Sequence, residues 1–93
     1  MHTRGFEWSA IKAAINLRKH HVAFEDAIEV FDDDRSIIED DPDPDEERYR
    51  IIGMTSRGVV LVVVYTERDD ETTRILSARK AKGHEIRRAH GQG

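Results

Sequence analysis

The residues best suited to chemistry in this 93-residue sequence are bases and histidines near its C-terminus. Lysine and arginine supply affinity for phosphate, and a guanidinium can also stack on an unpaired base. Five bases fall within ten residues, beside His84 and His90 and with Glu85 as the single intervening acid; they are Arg79, Lys80, Lys82, Arg87 and Arg88. This cluster predicts contact with a polyanion, although a solvated terminal helix would have the same composition.

Two adjacent histidines, His20 and His21, are the second candidate for chemistry. An imidazole can move a proton near neutral pH, so it can act as a general acid or base. Neighbouring helical residues point about 100° apart, which makes the two poor joint ligands for one metal. The alternative is a surface role at the C-terminal end of a helix, where cations are favoured.

The charges are strongly segregated along the chain. Residues 22–47 contain thirteen acids and one base, so the net charge of −4 conceals a remainder of +8. The basic remainder could meet a polyanion, and the acidic run could equally be a solvated loop. Its oxygens would suit calcium or magnesium, but the spacing and glycine of an EF-hand are missing, so no metal site is expected. The phosphate-binding and dinucleotide-binding glycine motifs are also missing, and no cofactor is expected.

The apolar spacing predicts two helices ahead of these segments. Ser9 is a suitable N-cap for the first helix. One amphipathic face of that helix recurs at intervals of three and four residues and consists of Ile11, Ala14, Ile15 and Arg18. A second, short helix is predicted from Phe24 to Phe31, with its apolar residues buried.

Four strands and a terminal helix are predicted after the helices. The strands are placed at residues 36–40, 49–55, 59–66 and 73–78, and the helix at 82–90. The loop at 41–45 contains two prolines that oppose regular structure. The predicted class is therefore α+β, with two N-terminal helices, an antiparallel sheet of about four strands and a C-terminal helix.

The turn Ser56-Arg57-Gly58 suits a three-residue hairpin with Gly58 in the left-handed region. That hairpin sets Tyr49 opposite Tyr65, Ile51 opposite Val63 and Gly53 opposite Leu61, on what we call the tyrosine face. The opposite, valine face carries Arg48, Arg50, Ile52, Val60, Val62 and Val64. If Thr66 pairs with Thr73, then Ile75, Ser77 and Arg79 join the valine face. We expect helices to cover the tyrosine face and to leave the valine face as an apolar surface rimmed by arginines.

The length of the chain fits one domain over residues 1–93. The sequence contains no cysteine, which fits a reducing compartment. The N-terminal residues lack the apolar region of a signal peptide, and the longest apolar run is too short to cross a bilayer. We therefore expect a soluble, cytoplasmic protein.

Several segments, in order and with compatible spacing over about residues 6–88, resemble the BrnT toxin family. They are Phe6-Glu7-Trp8, Asn16-Leu17-Arg18-Lys19-His20 with Val22 and Phe24, Glu46-Glu47-Arg48, Ser56-Arg57-Gly58, Val62-Val63-Val64-Tyr65-Thr66-Glu67-Arg68, and Ile75-Leu76-Ser77-Ala78-Arg79-Lys80-Ala81. The resemblance implies a fold like that of RelE-type ribonuclease toxins and a metal-independent endoribonuclease that halts translation. It also implies a BrnA-like antitoxin with a ribbon-helix-helix part, through which the complex meets operator DNA.

The chain departs from the usual family pattern at three places. His21 stands where the family usually has a glycine, and Ala23 stands where it often has a capping serine. Ala89 and His90 fall where a tyrosine is common, so that His90 would have to replace the tyrosine if that residue takes part in cleavage. The alternative function is accordingly a non-catalytic module that binds its partner and acts as a co-repressor.

RNA cleavage without a metal needs a base, an acid and cations near the phosphate. The residues that match the family motifs suggest Arg79 and Arg68 for phosphate stabilisation and His20 or Glu67 as acid or base. The expected RNA-binding residues are Lys19, Lys80, Arg48, Arg50, Arg87 and Arg88. The alternatives are a surface ion pair for Glu67 and Arg68, and a structural pair with the acidic segment for Arg79. The valine face is the expected antitoxin surface, with the acidic residues 39–47 at its rim.

Overall fold

The computed structural model describes residues 2–3 and 5–91, with side chains described over 5–89. Its strands are β1 (His2–Thr3), β2 (Phe6–Glu7), β3 (Ile37–Asp41), β4 (Arg48–Met54), β5 (Val60–Asp69) and β6 (Thr72–Lys80). Its helical elements are α1 (Ala10–His20), α2 (Phe24–Ala27), α3 (Ile28–Asp32, a 3-10 helix), α4 (Gly83–Ile86) and α5 (Arg87–Gly91, a π-helical turn). Within this part of the chain the strands form one sheet in the order β1-β2-β6-β5-β4-β3.

The α+β class and the order of the main elements are confirmed, but the predicted sheet is incomplete. The prediction missed β1 and β2, which are two residues long and carry too little sequence signal to recognise. Because β2 runs parallel to β6, with Phe6 opposite Thr73 and Glu7 opposite Arg74, the sheet is mixed rather than antiparallel. No helix in the described residues is long and apolar enough to cross a membrane.

Helix α1 has the predicted ends. The Ser9 hydroxyl accepts a hydrogen bond from the Lys12 N–H at 3.3 Å. His21 lies in the left-handed region at φ 60° and donates its N–H to the Leu17 carbonyl. A non-glycine residue costs about 1 kcal/mol in this conformation. Ala23 precedes α2 without a side-chain cap. At these two departures from the family pattern, the chain therefore keeps the left-handed residue and the position of the helix start.

The orientation of α1 is set by a polar residue, Asn16, and not by the apolar stripe. Asn16 Nδ2 donates to the carbonyls of Val22 at 3.0 Å and Ala78 at 2.9 Å, and its Oδ1 accepts the Ala78 N–H at 3.0 Å. These buried groups need partners, and the helix turns Asn16 towards β6 to supply them. Ile11 and Ile15 consequently point to solvent.

The β4–β5 hairpin has the predicted register, with Tyr49 opposite Tyr65 and Gly58 at φ 82°. The predicted pairing of Thr66 with Thr73 is wrong, because Thr66 pairs with Arg74 and Thr73 pairs with Glu67. An irregularity between Val64 and Tyr65 then shifts the register by one further residue of β6. Ser77 and Arg79 lie on the valine face as predicted. Ile75 pairs with Tyr65 and packs in the tyrosine-face core, so its predicted position on the valine face is wrong.

Both faces of the sheet are covered. The larger core lies on the tyrosine face, where the helices contribute Val22, Phe24, Ala27 and Val30. A smaller core on the valine face contains Ile52, Val60, Val62 and, from α5, Ala89. The predicted open valine face is therefore wrong, because the C-terminal helical segment folds back over it.

Candidate functional site

Arg79 lies near the end of β6, on the valine face and opposite Val62. Its side chain is bound by a carboxylate of α4. Its Nη1 and Nη2 donate to the two oxygens of Glu85 at 2.9 and 2.8 Å. Glu85 is 7% exposed and also accepts the Lys82 N–H at 2.8 Å. The Arg79 guanidinium, helped by the Lys82 N–H, lowers the pKa of Glu85 to about 2 despite its burial. Arg79 is thus in a structural pair, although with Glu85 and not with the predicted acidic segment.

The acidic strand β3 neutralises two of the predicted RNA-binding residues, which lie opposite it on β4. Arg50 donates to Glu39 at 2.6 Å and to Asp41 at 3.3 Å. Arg48 donates to Asp41 at 2.7 Å and lies 3.1 Å from Asp43. The direct register of Glu39 with Arg50 and of Asp41 with Arg48 makes these cross-strand pairs.

Arg88 extends this network from the C-terminal segment, since it also donates to Glu39. Hydrogen bonds from Arg88 and Arg50 lower the pKa of the Glu39 carboxyl. Arg87 is exposed, without an ion pair among the side chains described over 5–89. The side chain of His90 lies outside the described residues. Three of the six predicted RNA-binding residues, Arg48, Arg50 and Arg88, are therefore engaged within the protein.

Glu67 and Arg68 lie near the β5–β6 turn. Glu67 accepts a hydrogen bond from the Thr73 hydroxyl at 3.1 Å, and Arg68 donates to Glu7 at 2.6 Å. Arg68 follows Val62, the partner of Arg79, by six residues, which is about 20 Å along a strand. The structure therefore does not bring Arg68 and Arg79 to one phosphate.

A groove between α1 and the middle of β6 collects basic side chains. It encloses about 240 Å³ and is lined by Lys12, Ile15, Asn16, Lys19, His20, Leu76 and Ser77. His20 is half-buried, whereas Lys12 and Lys19 are exposed. Two of the predicted site residues, Lys19 and His20, are thus brought together against β6.

A second cavity, of about 120 Å³, lies beyond the C-terminal end of α1. Its basic lining residues are His21, Arg57 and Lys80, and its acidic ones are Asp26 and Glu29. The Glu29 carboxylate is already occupied, because it accepts hydrogen bonds from the Ser56 N–H and hydroxyl. These hydrogen bonds lower the pKa of Glu29.

The consecutive residues His20 and His21 line one cavity each, and the basic lining residues of both cavities define what we call the basic junction: Lys12, Lys19, His20, His21, Arg57 and Lys80. Within the described part of the chain, none of its lysines or its arginine forms an ion pair, unlike Arg79. Sequence reasoning missed Lys12 and Arg57 and, of the two adjacent histidines, included only His20 in the catalytic set. Their convergence depends on the docking of α1 on β6 through Asn16, which no local pattern reveals. Among the described residues, no three histidine or carboxylate side chains are grouped to hold a metal.

A mixed sheet with helical segments on both faces, and with bases free of ion pairs where α1 meets β6, defines a small α+β protein with a surface suited to a polyanion. The family model described as the ribonuclease toxin BrnT of type II toxin–antitoxin systems matches residues 8–85. The chain therefore belongs to the BrnT family.

A solved relative has the same fold. The crystal structure of the Brucella abortus ribonuclease toxin BrnT matches with a TM-score of 0.64 and 21% identity, over 86% of this chain and 99% of the other. No curated protein sequence matches the chain. The family match fixes the general activity, that of a ribonuclease toxin with an antitoxin partner.

Proposed function

We propose that the chain is a metal-independent endoribonuclease that inhibits translation and that the basic junction holds the RNA. The observation that carries this proposal is the contrast between free and engaged bases. Lys19 on α1 and Lys80 at the end of β6 form no ion pair among the described residues, whereas Arg48 and Arg50 are held by acids of β3. Free cations can bind phosphate without first breaking an internal ion pair.

In this proposal His20 removes the 2′-hydroxyl proton as the general base, solvent water protonates the leaving 5′-oxygen, and Lys19 and Lys80 hold the phosphate. Cleavage requires that a base remove the 2′-hydroxyl proton and an acid protonate the leaving 5′-oxygen. Arg79, one residue before Lys80 and 34% exposed at its side chain, adds positive charge for the transition state. We place Glu67 and Arg68 outside the reacting group because both are engaged elsewhere, Glu67 by the Thr73 hydroxyl and Arg68 by Glu7.

The test is RNA cleavage by the purified free chain, with and without EDTA. We expect cleavage to survive EDTA, because the proposed chemistry uses protein side chains and solvent water alone. Loss of activity in EDTA with recovery in magnesium would contradict metal independence. Replacing His20 by Gln should lower the cleavage rate by about 100-fold or more, as for the loss of a general acid or base, while RNA binding is retained.

The second candidate function is a non-catalytic module that binds its partner and acts as a co-repressor. The observation in its favour is that Glu85 engages both terminal nitrogens of Arg79. Ala89, at the place of a common family tyrosine, supplies only an apolar core contact. Induced expression without the antitoxin separates the two, since an active toxin stops growth and a degenerate one does not.

We further propose a BrnA-like antitoxin with a ribbon-helix-helix part, encoded beside this chain, and contact with operator DNA through that antitoxin alone. Both proteins would act in the cytoplasm, where RNA is translated. The support is the membership of a type II toxin family, which implies an antitoxin protein. Repression of the operon by the complex, and its absence with the toxin alone, would test the arrangement.

A further inference from the structure

The outer face of α1 carries large apolar side chains that are exposed to solvent. We call it the α1 ridge and define it by Ile11, Ala14, Ile15 and Leu17. Ile11 is 74% exposed, Ile15 is 56% exposed and Leu17 is 50% exposed. These three are half of the exposed large apolar residues in the described chain. Apolar residues that are clustered rather than scattered mark interaction surfaces.

The ridge points away from the protein because the opposite side of α1 is anchored. Asn16 and Ala13 face the sheet, and Asn16 is fixed there by its three hydrogen bonds to Val22 and Ala78. At 100° per residue, Ile11 and Ile15 lie on the far side of the helix from Ala13 and Asn16. Rotation of α1 to bury the ridge would break these hydrogen bonds, so the described part of the chain leaves the ridge open to another chain.

The charges around the ridge indicate that its partner is acidic. Helix α1 contains Lys12, Arg18, Lys19 and no acid in the whole of Ala10–His20. Lys12 and Lys19 lie along one flank of the ridge, beside Ile15 in the wall of the α1–β6 groove. An amphipathic helix with an apolar stripe and acidic flanks matches this surface in both properties.

The other large apolar surfaces of the described residues are already occupied. The tyrosine face is covered by the N-terminal helices and the valine face by the C-terminal segment that ends in α5. The antitoxin surface expected on the valine face is therefore closed. The α1 ridge is the apolar surface that remains.

We propose that the antitoxin docks on the α1 ridge through an acidic amphipathic helix. This inference rests on the proposed function, in that the antitoxin is the partner. Because Ile15 belongs to the ridge and also borders the groove that holds Lys19 and His20, a bound helix about 10 Å wide overhangs the groove. Docking then excludes RNA by covering the α1–β6 groove of the basic junction rather than by distorting it.

The experiment measures binding of the antitoxin encoded by the adjoining gene to purified toxin variants by calorimetry. The test variant is Ile11→Gln/Leu17→Gln, which removes two exposed side chains and leaves the groove intact. The matched control is Ile38→Gln, since Ile38 is 58% exposed but lies on β3. We expect the double variant to lose about 100-fold in affinity, because two burials are removed, and the control to bind like the wild type.

A charge variant tests the stated chemistry of the partner. Arg18→Glu should weaken binding by about tenfold at low salt and by less at high salt, mainly through slower association. Free Ile11→Gln/Leu17→Gln should cleave RNA as the wild type does. Circular dichroism checks folding, and the single change Ile11→Gln, at the most exposed position, replaces the double variant if that variant unfolds.

The possible outcomes separate this inference from the proposed function. Affinity of the double variant within twofold of the wild type overturns the docking site. So does a free chain that changes from dimer to monomer on substitution while its affinity for the antitoxin stays unchanged, because the ridge then pairs two copies. Loss of binding by a chain that never cleaves RNA supports the docking site and overturns the proposed function. Cleavage with unchanged binding does the reverse.

Discussion

Arg79→Ala should destabilise the protein because it leaves the Glu85 carboxylate buried without its main partner. Glu85 is 7% exposed, and its pKa is about 2 against an ordinary value of 4.5. A difference of this size corresponds to about 3 kcal/mol at neutral pH. We therefore expect Arg79→Ala to lose about 2–3 kcal/mol of unfolding free energy, or about 10–20 °C in Tm for a domain of this length.

The pH dependence of the same pair has a defined sign. The pKa of Glu85 is lower in the folded than in the unfolded chain, so its stabilisation is fully present above pH 4.5. The stabilisation is lost as the pH falls from 4.5 towards 2. The difference between wild type and Arg79→Ala should shrink over that range, as measured by urea unfolding at a series of pH values.

Two further variants complete the test. Glu85→Gln should recover part of the stability of Arg79→Ala, because the double variant contains no unpaired buried charge. Arg68→Ala removes another arginine–glutamate pair, in which the arginine side chain is 58% exposed, and should leave the unfolding free energy unchanged within the error of the assay. If Arg79→Ala lowers the unfolding free energy no more than Arg68→Ala does, the burial of Glu85 does not make its ion pair stabilising. The reasoning is then refuted.

Three other predictions concern the junction of α1 and β6. Asn16→Ala should lower the unfolding free energy in urea by about 3 kcal/mol, since three buried backbone groups lose their partners; a loss below 0.5 kcal/mol would mean that water replaces them. His21→Gly should raise stability in the same assay by about 1 kcal/mol, because the left-handed conformation is free of strain in glycine. Lys19→Ala and Lys80→Ala should each weaken RNA binding by several-fold in a filter-binding assay, whereas Arg50→Ala should not; the opposite ranking would move the RNA to the β3–β4 side.

The parts of the fold that depend on neighbouring residues could be predicted from sequence. The register of β4 with β5 follows from the length of the turn at Gly58, and the ends of α1 follow from Ser9 and from the family pattern around His21. The orientation of α1 could not be predicted in this way. Its apolar stripe indicates one buried face, but the hydrogen-bonding needs of Ala78, 62 residues from Asn16, favour the other.

The residue types of the candidate site were predicted from the sequence, but the ion pairs that these residues form within the protein were not. Arg79 and Arg48 are bases in both the sequence and the structure, and only the fold shows that acids hold them. Glu85 was recognised as the one acid in a basic cluster, yet its pairing depends on the C-terminal segment folding back over the valine face. The position of Ile75 was missed for a similar reason, since an irregular pairing at Tyr65 has no clear signal in the sequence.

Asn16 also has a consequence for the behaviour of the chain at high concentration. Among residues 2–3 and 5–91, β2 pairs with β6 at Thr73 and Arg74, and the rest of that side of β6 has no strand neighbour. Such an open margin can recruit a strand from another molecule and begin aggregation. Asn16 occupies both the N–H and the carbonyl of Ala78, the groups that an incoming strand would need. The Asn16 side chain thus makes the two hydrogen bonds at Ala78 that a neighbouring strand would otherwise make, and it blocks strand addition from another molecule at this point of the edge.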